Sequence, residues 1–429
     1  MNVSHTRAPN SRLFAHRGAG DDHDGSKYCQ DLIDAMLRRQ DELIEALTTI
    51  ATHDSASDEL HRSIRALAGA RWELARNRPA PQDLLGVFLP SNNVLYSYTL
   101  MCLIPALYCR RIEIRPSSRV KGVIETVHEI LAPVVRARGA GQLALTRESQ
   151  RDFVRSCAEA DGVVFTGRYE NGLQIATRVS HRTKLLLFGS GPNPFVVGPA
   201  AGTATAVDDL LRSRLYNSGQ DCLCPDAVFV HRDRLDDVVT QLEERLAELP
   251  IADRRDPEAR ITPLVYDDAV EDAAAFLAGH RGQIRFGGTV DVAARTVNPT
   301  ILVTDLHPDL RPPEFFSPVF LVCAYDDAAD IERWAATPAE LARGMYMSVY
   351  GEPGLTSAMV GTSVVNRDCT TFDAEDGNRP FGGYGMQASS VHERGRLTAR
   401  PLLVSAEFGA ARTQPDLLAA AGAAAGDPA

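Results

Sequence analysis

The spacing of apolar positions changes once along the chain. From Lys27 to Arg76 the apolar residues fall near helical spacing at Leu32, Met36, Leu43, Leu47 and Ile50. After the polar break Asp54-Ser-Ala-Ser-Asp58 they resume at Leu60, Ile64 and Leu67. This pattern predicts helices, read as a cover rather than as carriers of chemistry. From Leu84 short apolar runs alternate with helix-length segments. Strands are predicted at Leu85–Leu89, Arg111–Ile114, Gln142–Thr146, Gly162–Thr166 and Lys184–Phe188, with helices over Leu95–Cys109, Val120–Arg136, Gln150–Glu159 and from about Glu170. Such alternation predicts an α/β fold built on a doubly wound parallel sheet, with ligands at the carboxyl ends of its strands. After Gly189 the alternation resumes. Helices are predicted at Val207–Tyr216, Arg234–Leu249, Asp267–His280 and Asp326–Arg343. Strands are predicted at Ala227–His231, Ile284–Gly288, Thr296–Val303, Pro318–Tyr325, Met345–Gly351 and Ser363–Asn366, making a second α/β domain. The predicted division is a disordered N-terminus (1–26), a first domain (27–189), a second (190–393), a strand-bearing segment (394–411) and a disordered tail (412–429).

Composition narrows the function classes. A chain of 429 residues suits two or three domains, and a net charge of −11 without a basic stripe argues against a nucleic-acid partner. No apolar run reaches the ~18 residues of a spanning helix, so no membrane partner is expected. The polar segment Met1–Asp24 lacks the apolar region of a secretory signal, which makes a cytoplasmic location the expectation. Eight cysteines lie in apolar contexts without zinc spacing and are expected as free thiols. Cys222-Leu-Cys224 is too tight for an ordinary disulfide, and no metal is expected.

Chemistry concentrates at Leu215–Val230. The end of an amphipathic helix leads into a polar turn with Asn217, Ser218 and Gly219, then the thiol of Cys222, then an apolar strand. A thiol just after a glycine-containing turn can sit at a cleft surface beside free backbone N–H groups, as attack on a carbonyl requires. The same stretch also fits Cys222 as a small half-buried hydrophobe.

Asn217-Ser-Gly-Gln-Asp-Cys222 resembles the nucleophile signature of the aldehyde dehydrogenase superfamily, and the likeness extends from about Leu84 to Glu407. Pro90-Ser-Asn92 is similar to its oxyanion-asparagine turn. Arg115-Pro-Ser-Ser118 stands where the family usually has Lys-Pro-x-Glu, and Phe165-Thr-Gly-Arg168 with Gly172 is similar to the segment opening the helix near the pyrophosphate. Gly287-Gly288 with Asn298–Leu302, Glu314-Phe-Phe-Ser-Pro-Val319 and Pro380-Phe-Gly-Gly-Tyr384 follow in family order. The resemblance implies that Cys222 is the nucleophile and that the Asn92 amide and the Cys222 backbone N–H hold the developing oxyanion. Asn92 alone also fits a turn residue or helix cap. It further implies a cofactor site with Arg115, Ser117, Ser118, Thr166, Gly167, Arg168, Gly189, Glu314 and Phe316, Glu314 holding the nicotinamide ribose. Tyr96, Tyr98, Leu223, Thr371 and Phe372 are the candidates for the substrate pocket.

Three departures sharpen the expectation. Leu187 stands where the family carries its general-base glutamate. Without a group to take a proton from water, hydrolysis of an acyl-enzyme should be slow, while coenzyme A or a carrier-protein thiol could still attack. The reading is therefore interconversion of an aldehyde and an acyl thioester. Oxidation to a carboxylic acid is the second reading, and a catalytically degenerate nucleotide- or partner-binding scaffold the third. Arg115 and Ser118 remove a carboxylate that would repel a 2′-phosphate, so NADP(H) is preferred with NAD(H) possible. Arg168, replacing a small serine, either pairs with phosphate or obstructs the cofactor. The hairpin that commonly precedes the first strand is reduced to Asn77–Asp83, which puts a tetramer in doubt. Leu397–Glu407 could still add an edge strand across a homodimer.

Overall fold

The computed structural model describes residues 22–409. The expected disordered ends lie for the most part outside that range. Where they overlap it at the N-terminus, the first helix begins at Asp22, ahead of the expected Lys27.

Five parallel strands form the heart of the first sheet: β1 (Gln82–Phe88), β2 (Cys109–Arg115), β3 (Gln142–Leu145), β4 (Gly162–Thr166) and β5 (Lys184–Phe188). The second sheet draws on β6 (Phe195–Val197), β7 (Val228–His231) and β8 (Ile284–Phe286). A small antiparallel ribbon of β9 (Val290–Asp291) and β10 (Thr296–Val297) follows. The sheet is then completed by β11 (Thr300–Asp305), β12 (Val319–Tyr325), β13 (Tyr346–Tyr350) and β14 (Val364–Arg367). The chain finally returns to the first sheet with β15 (Ser389–Glu393) and β16 (Arg396–Ala399). The sheet orders are β16-β15-β5-β4-β1-β2-β3 and β14-β13-β6-β7-β12-β11-β8. Within these two sheets all pairings are parallel except β8 on β11, β15 on β5 and β16 on β15. This is the predicted doubly wound α/β class, with two sheets whose central strands are buried on both faces. Every residue of β12 is buried.

Helices α1 (Asp22–Arg38), α2 (Gln40–Leu47) and α3 (His53–Asn77) pack with α5 (Lys121–Ala137) over one face of the first sheet. There Tyr28, Leu32, Leu67, Leu85, Ile112 and Ile124 share one core. The short α4 (Val94–Tyr98) lies beside them. On the other face α6 (Gln150–Ser156) and α7 (Tyr169–Ala176) cover Phe88, Phe165 and Leu187. Gly172 lets α7 approach β5 closely, since a Cβ there would meet Leu187 Cδ2 at 2.7 Å.

Several boundaries differ from the periodicity. The predicted helix Leu95–Cys109 is α4 followed by a wide π turn (Thr99–Leu103) and a tight turn (Pro105–Leu107). Pro105 supplies no N–H to a continuing helix, and Cys109 already pairs with Gln82 in the sheet. Pro338 likewise splits Asp326–Arg343 into two helices. The largest correction is at the C-terminus. Residues 389–393, assigned to the second domain, form β15 on β5 of the first sheet. Of the segment 394–411, Arg396–Ala399 pairs with β15, and Val404–Glu407 is a helical turn rather than a strand.

Candidate active site

The turns leaving the carboxyl ends of β1, β2, β4 and β5 build one long cleft. Between β1 and β4 the strand order reverses, because β2 and β3 lie to one side of β1 and β4 and β5 to the other. Such a reversal splays the strand-end loops and opens a crevice. Phe88 leads to Pro90 and Asn92, Arg115 to Ser117 and Ser118, Thr166 to Gly167 and Arg168, and Phe188 to Gly189. From the second sheet, Glu314, Phe315 and Phe316 close the opposite wall ahead of β12.

The loop carrying Cys222 follows α8 (Thr203–Arg214). Asn217, Ser218 and Gly219 take positive φ values of 48°, 58° and 84° in succession. A Cβ on Gly219 would lie 2.5 Å from the Ser317 carbonyl oxygen, so this position has room only for glycine. The strained turn is held from both sides. Thr52 N donates to Asn217 Oδ1 (3.1 Å) and Asn217 N to Ser55 Oγ (2.9 Å), both at the start of α3. Thr262 N donates to Ser218 Oγ (3.0 Å), and Val265 N to Gln220 Oε1 (2.7 Å). Beneath it, the fully buried Arg214 donates to Asp226 Oδ1 (2.9 Å), to the Pro225 carbonyl (3.2 Å) and to the Ser317 carbonyl. Asp226 Oδ1 also accepts from Phe315 N (3.0 Å). One ion pair thus fixes the loop carrying Cys222 relative to the loop carrying Glu314.

Cys222 is half-buried, and its carbonyl accepts from Asn193 Nδ2 (2.6 Å). Loss of solvation, with Asp221 and Glu314 close by, pushes its thiol well above the ordinary range, while its own backbone N–H pulls the other way. Burial also raises the Glu314 carboxyl to about 7, with Asp226 adding to the rise and Ser190, Arg168 and Arg343 opposing it.

Two cavities meet at Cys222. The larger, about 1860 Å³ of open cleft, is lined by all nine residues proposed for a cofactor: Arg115, Ser117, Ser118, Thr166, Gly167, Arg168, Gly189, Glu314 and Phe316. The smaller, about 950 Å³, is lined by Tyr96, Leu223 and Phe372 and also by Leu100, Met101, Phe188, Phe381 and Val404. Pro90, Asn92, Thr166, Gly189 and Cys222 line both. Asn92 Nδ2 makes only a long contact of 3.5 Å to the Gln220 carbonyl.

Two candidates are displaced from the pocket. Thr371 lines neither cavity; its buried hydroxyl donates to the Leu223 carbonyl (2.8 Å) and so sets the position of a pocket residue. Tyr98 is buried away from the pocket with its hydroxyl on His128 Nδ1 (2.8 Å). Leu187 also lines neither cavity, because alternation along β5 turns it toward α7; Phe188 on the opposite face and Gly189 past the strand end line the smaller cavity instead. The N-terminal helices do more than cover: α3 puts Glu59 and Arg62 into the wall of the smaller cavity. A charged residue inside the apolar stripe Ala56-Leu60-Ser63-Leu67 was the sequence signal for Glu59.

The cleft suits a dinucleotide. Cationic Arg115 and Arg119 and the hydroxyls of Ser117 and Ser118 gather after β2, and across the cleft Asp268 pairs with Arg119 at 3.2 Å. Arg115 is partly engaged with the Glu148 carbonyl (3.3 Å), and Ser117 Oγ accepts from Ser91 Oγ (2.8 Å). Arg168 is exposed on the cleft wall, close enough to lower the Glu314 carboxyl.

Fold and site together define the class of a dinucleotide-cleft protein with a thiol between two sheets. The aldehyde dehydrogenase family profile matches residues 32–398, and the chain belongs to that family. It is 28% identical over 326 residues to a 2-aminomuconic 6-semialdehyde dehydrogenase of a Pseudomonas species, covering 71% of this chain and 65% of that protein. It is 34% identical over 153 residues to an NADP(+) succinate-semialdehyde dehydrogenase of Mycobacterium tuberculosis, covering 33% of each. The chain therefore spans between a third and just under two thirds of the length of these relatives. Among solved structures, glyceraldehyde-3-phosphate dehydrogenase GapN of Methanocaldococcus jannaschii complexed with NADP shares the fold. The TM-score is 0.75 at 17% identity, over 92% of this chain and 91% of that one. Among the described residues no helix is long and apolar enough to cross a membrane.

Proposed function

We propose that the chain is an NADP(H)-preferring, NAD(H)-tolerant oxidoreductase that interconverts an aldehyde and an acyl thioester through Cys222, with coenzyme A or a carrier-protein thiol as acyl partner. The observation that carries the thioester half is the identity of the residues shared by both cavities. Pro90, Asn92, Thr166, Gly189 and Cys222 include neither a carboxylate nor an imidazole to take a proton from water. A thiolate nucleophile needs no such group.

In this reading the Cys222 sulfur bonds to the carbonyl carbon. The π pair moves onto oxygen, where Asn92 Nδ2 and the Cys222 backbone N–H donate to it. When bound, the nicotinamide cofactor accepts the hydride leaving that carbon, or returns it in the reductive direction. The Cys222 thioester that remains is attacked by the acyl partner's thiolate, which expels the Cys222 sulfur. A bound cofactor would be held at its adenosine end by Arg115, Ser117, Ser118 and Arg119, at its pyrophosphate by Thr166, Gly167 and Arg168, and at its ribose hydroxyls by Glu314, with Phe316 and Gly189 beside the ring. NADP-bound and NADP(+)-dependent proteins among the similar ones support the cofactor choice.

Oxidation to a free acid is the second reading. It is favoured by the semialdehyde dehydrogenases among the relatives and by Glu314, whose carboxyl at about 7 lies near the sulfur. Absorbance of reduced nicotinamide separates the readings. NADPH consumed with an acyl-coenzyme A supports the first, and NADPH formed from aldehyde and NADP⁺ without thiol supports the second. Silence in both assays leaves the degenerate scaffold. The same reading has the chain cytoplasmic, where its free thiols stay reduced. It also pairs two copies through β16, the outermost strand of the first sheet, a homodimer that sedimentation would detect.

A further inference from the structure

The wall of the smaller cavity holds a carboxyl that the proposed chemistry does not use. Glu59 lies on α3, is only 2% exposed, and lines the cavity shared with Cys222. Its Oε1 accepts from Leu95 N (2.5 Å) and Tyr96 N (3.0 Å) at the first turn of α4. Its Oε2 accepts no hydrogen bond from the described residues and is not among the fully occluded atoms without a partner, which fits an oxygen reachable from the cavity.

The other charges of the wall are already matched. Asp221 accepts from Asn93 Nδ2 (2.6 Å) and Leu223 N (2.8 Å), and Glu375 from Tyr96 Oη (2.6 Å) and Arg62 Nη1 (2.8 Å). Arg62 also donates to Asp58 Oδ2 (2.6 Å) and to the Phe372 carbonyl (3.0 Å). Asp58 also accepts from Tyr216 Oη (3.0 Å). At the mouth, Arg379 pairs with Asp376 (3.1 Å) and lies over the Trp72 ring at 5.9 Å. A substrate carboxylate would therefore meet guanidinium groups that each already pair with a carboxylate, together with the carboxyl groups of Glu59, Asp221 and Glu375. A cation would meet the Glu59 carboxyl in a wall that also carries the rings of Tyr96, Tyr216, Phe372 and Phe381, and Arg62 already lies over the Phe372 ring at 5.6 Å, which shows that this aromatic wall accepts positive charge.

We infer that the smaller cavity selects an aldehyde or acyl group with an apolar chain and an ammonium at its far end, the ammonium donating to Glu59 Oε2. This rests on that cavity being the acyl side of the proposed reaction, and the test below needs no turnover. Burial raises the empty-site carboxyl of Glu59 to about 8, with Asp221 and Asp58 adding to the rise and the Leu95 and Tyr96 N–H groups opposing it. Below that pH it is mostly neutral and donates or accepts as an acid. Above it, the carboxylate pairs with an alkylammonium, which keeps its own charge to about pH 10. Affinity for the amine should therefore rise with pH.

The probes are 6-aminohexan-1-ol, hexan-1-ol and 6-hydroxyhexanoate, unreactive ligands of similar length. Binding is read by calorimetry and by protection of Cys222 from iodoacetamide, followed on its own peptide by mass spectrometry. At pH 8 the amino alcohol is expected to bind at least about tenfold more tightly than hexan-1-ol, with the carboxylate weakest. At pH 6 the gap should shrink to about threefold or less. Glu59→Gln keeps an acceptor for Leu95 N and Tyr96 N and should abolish both the gap and its pH dependence. Equal binding of amino alcohol and hexan-1-ol by the unaltered protein at pH 8, tighter binding of the carboxylate, or a gap that survives Glu59→Gln each overturns the inference. The unaltered protein's pH series decides the matter even if the variant fails to fold.

Discussion

The two cavities that meet at Cys222 are built in opposite ways. The cofactor cleft is assembled largely from short turns at the ends of adjacent parallel strands, so neighbours in the sheet become neighbours in the site. The smaller cavity is assembled from α3, α4, the loop carrying Cys222, the stretch around Phe372 to Phe381 and the segment Leu402–Val404, which meet only through tertiary packing. Chemistry common to a family belongs in the first kind of site, where geometry follows from backbone pairing. Selectivity peculiar to one chain belongs in the second, where separate segments can change independently.

The sharpest way to break this division is at the shared residue. Cys222→Ala should lower turnover by at least about 10³-fold in the nicotinamide absorbance assay, and retention of more than a few per cent would show that the cavities do not share a nucleophile. The next effect lies under the loops rather than in either cavity. Arg214→Met leaves Asp226 buried without its partner and should cost about 3–5 kcal/mol by denaturant unfolding. Replacing Asp226 by leucine in the same protein should restore much of that, since a matched apolar pair carries no stranded charge. A smaller change is confined to the cleft. Ser118→Glu places a carboxylate beside Arg115 and should reduce the preference for NADPH over NADH by about tenfold, measured as the ratio of kcat/KM values, if the turn after β2 reads the 2′-phosphate.

The smallest effect is spread over pH. Glu59, Glu314 and Asp226 have folded-state values raised by burial to about 8, about 7 and about 6. Each then holds its proton in the folded protein at pH values where the unfolded chain has released it. Folding therefore takes up protons, and stability should decline as pH rises from about 5 to about 8. Glu59→Gln should flatten the upper part of that decline, by an amount on the order of one kcal/mol, in urea midpoints measured at pH 6, 7 and 8.

The same contrast explains what could be read from the sequence. The alternation of runs located most strands of both sheets but not β6 or β15, and the motifs that carry the family resemblance named nine residues and a cysteine that line the cleft, because such motifs sit in turns whose geometry is local. Leu187 stands out by identity, but its direction depends on strand alternation and the close approach of Gly172. Glu59 and Arg62 escaped notice because helical periodicity shows which face is buried and not what that face meets 36 residues further along. Thr371 is near the site but reaches it only through the Leu223 carbonyl, a contact made across 148 residues.

The return of β15 to the edge of β5 bears on how the chain is made. On the ribosome, the first sheet lacks two of its strands until synthesis has passed residue 399, after the whole second sheet has emerged. Until then the free edge of β5 is open to pairing with a neighbouring nascent chain. The order of translation thus makes the final stretch, rather than the first, the step that commits both halves to a single molecule.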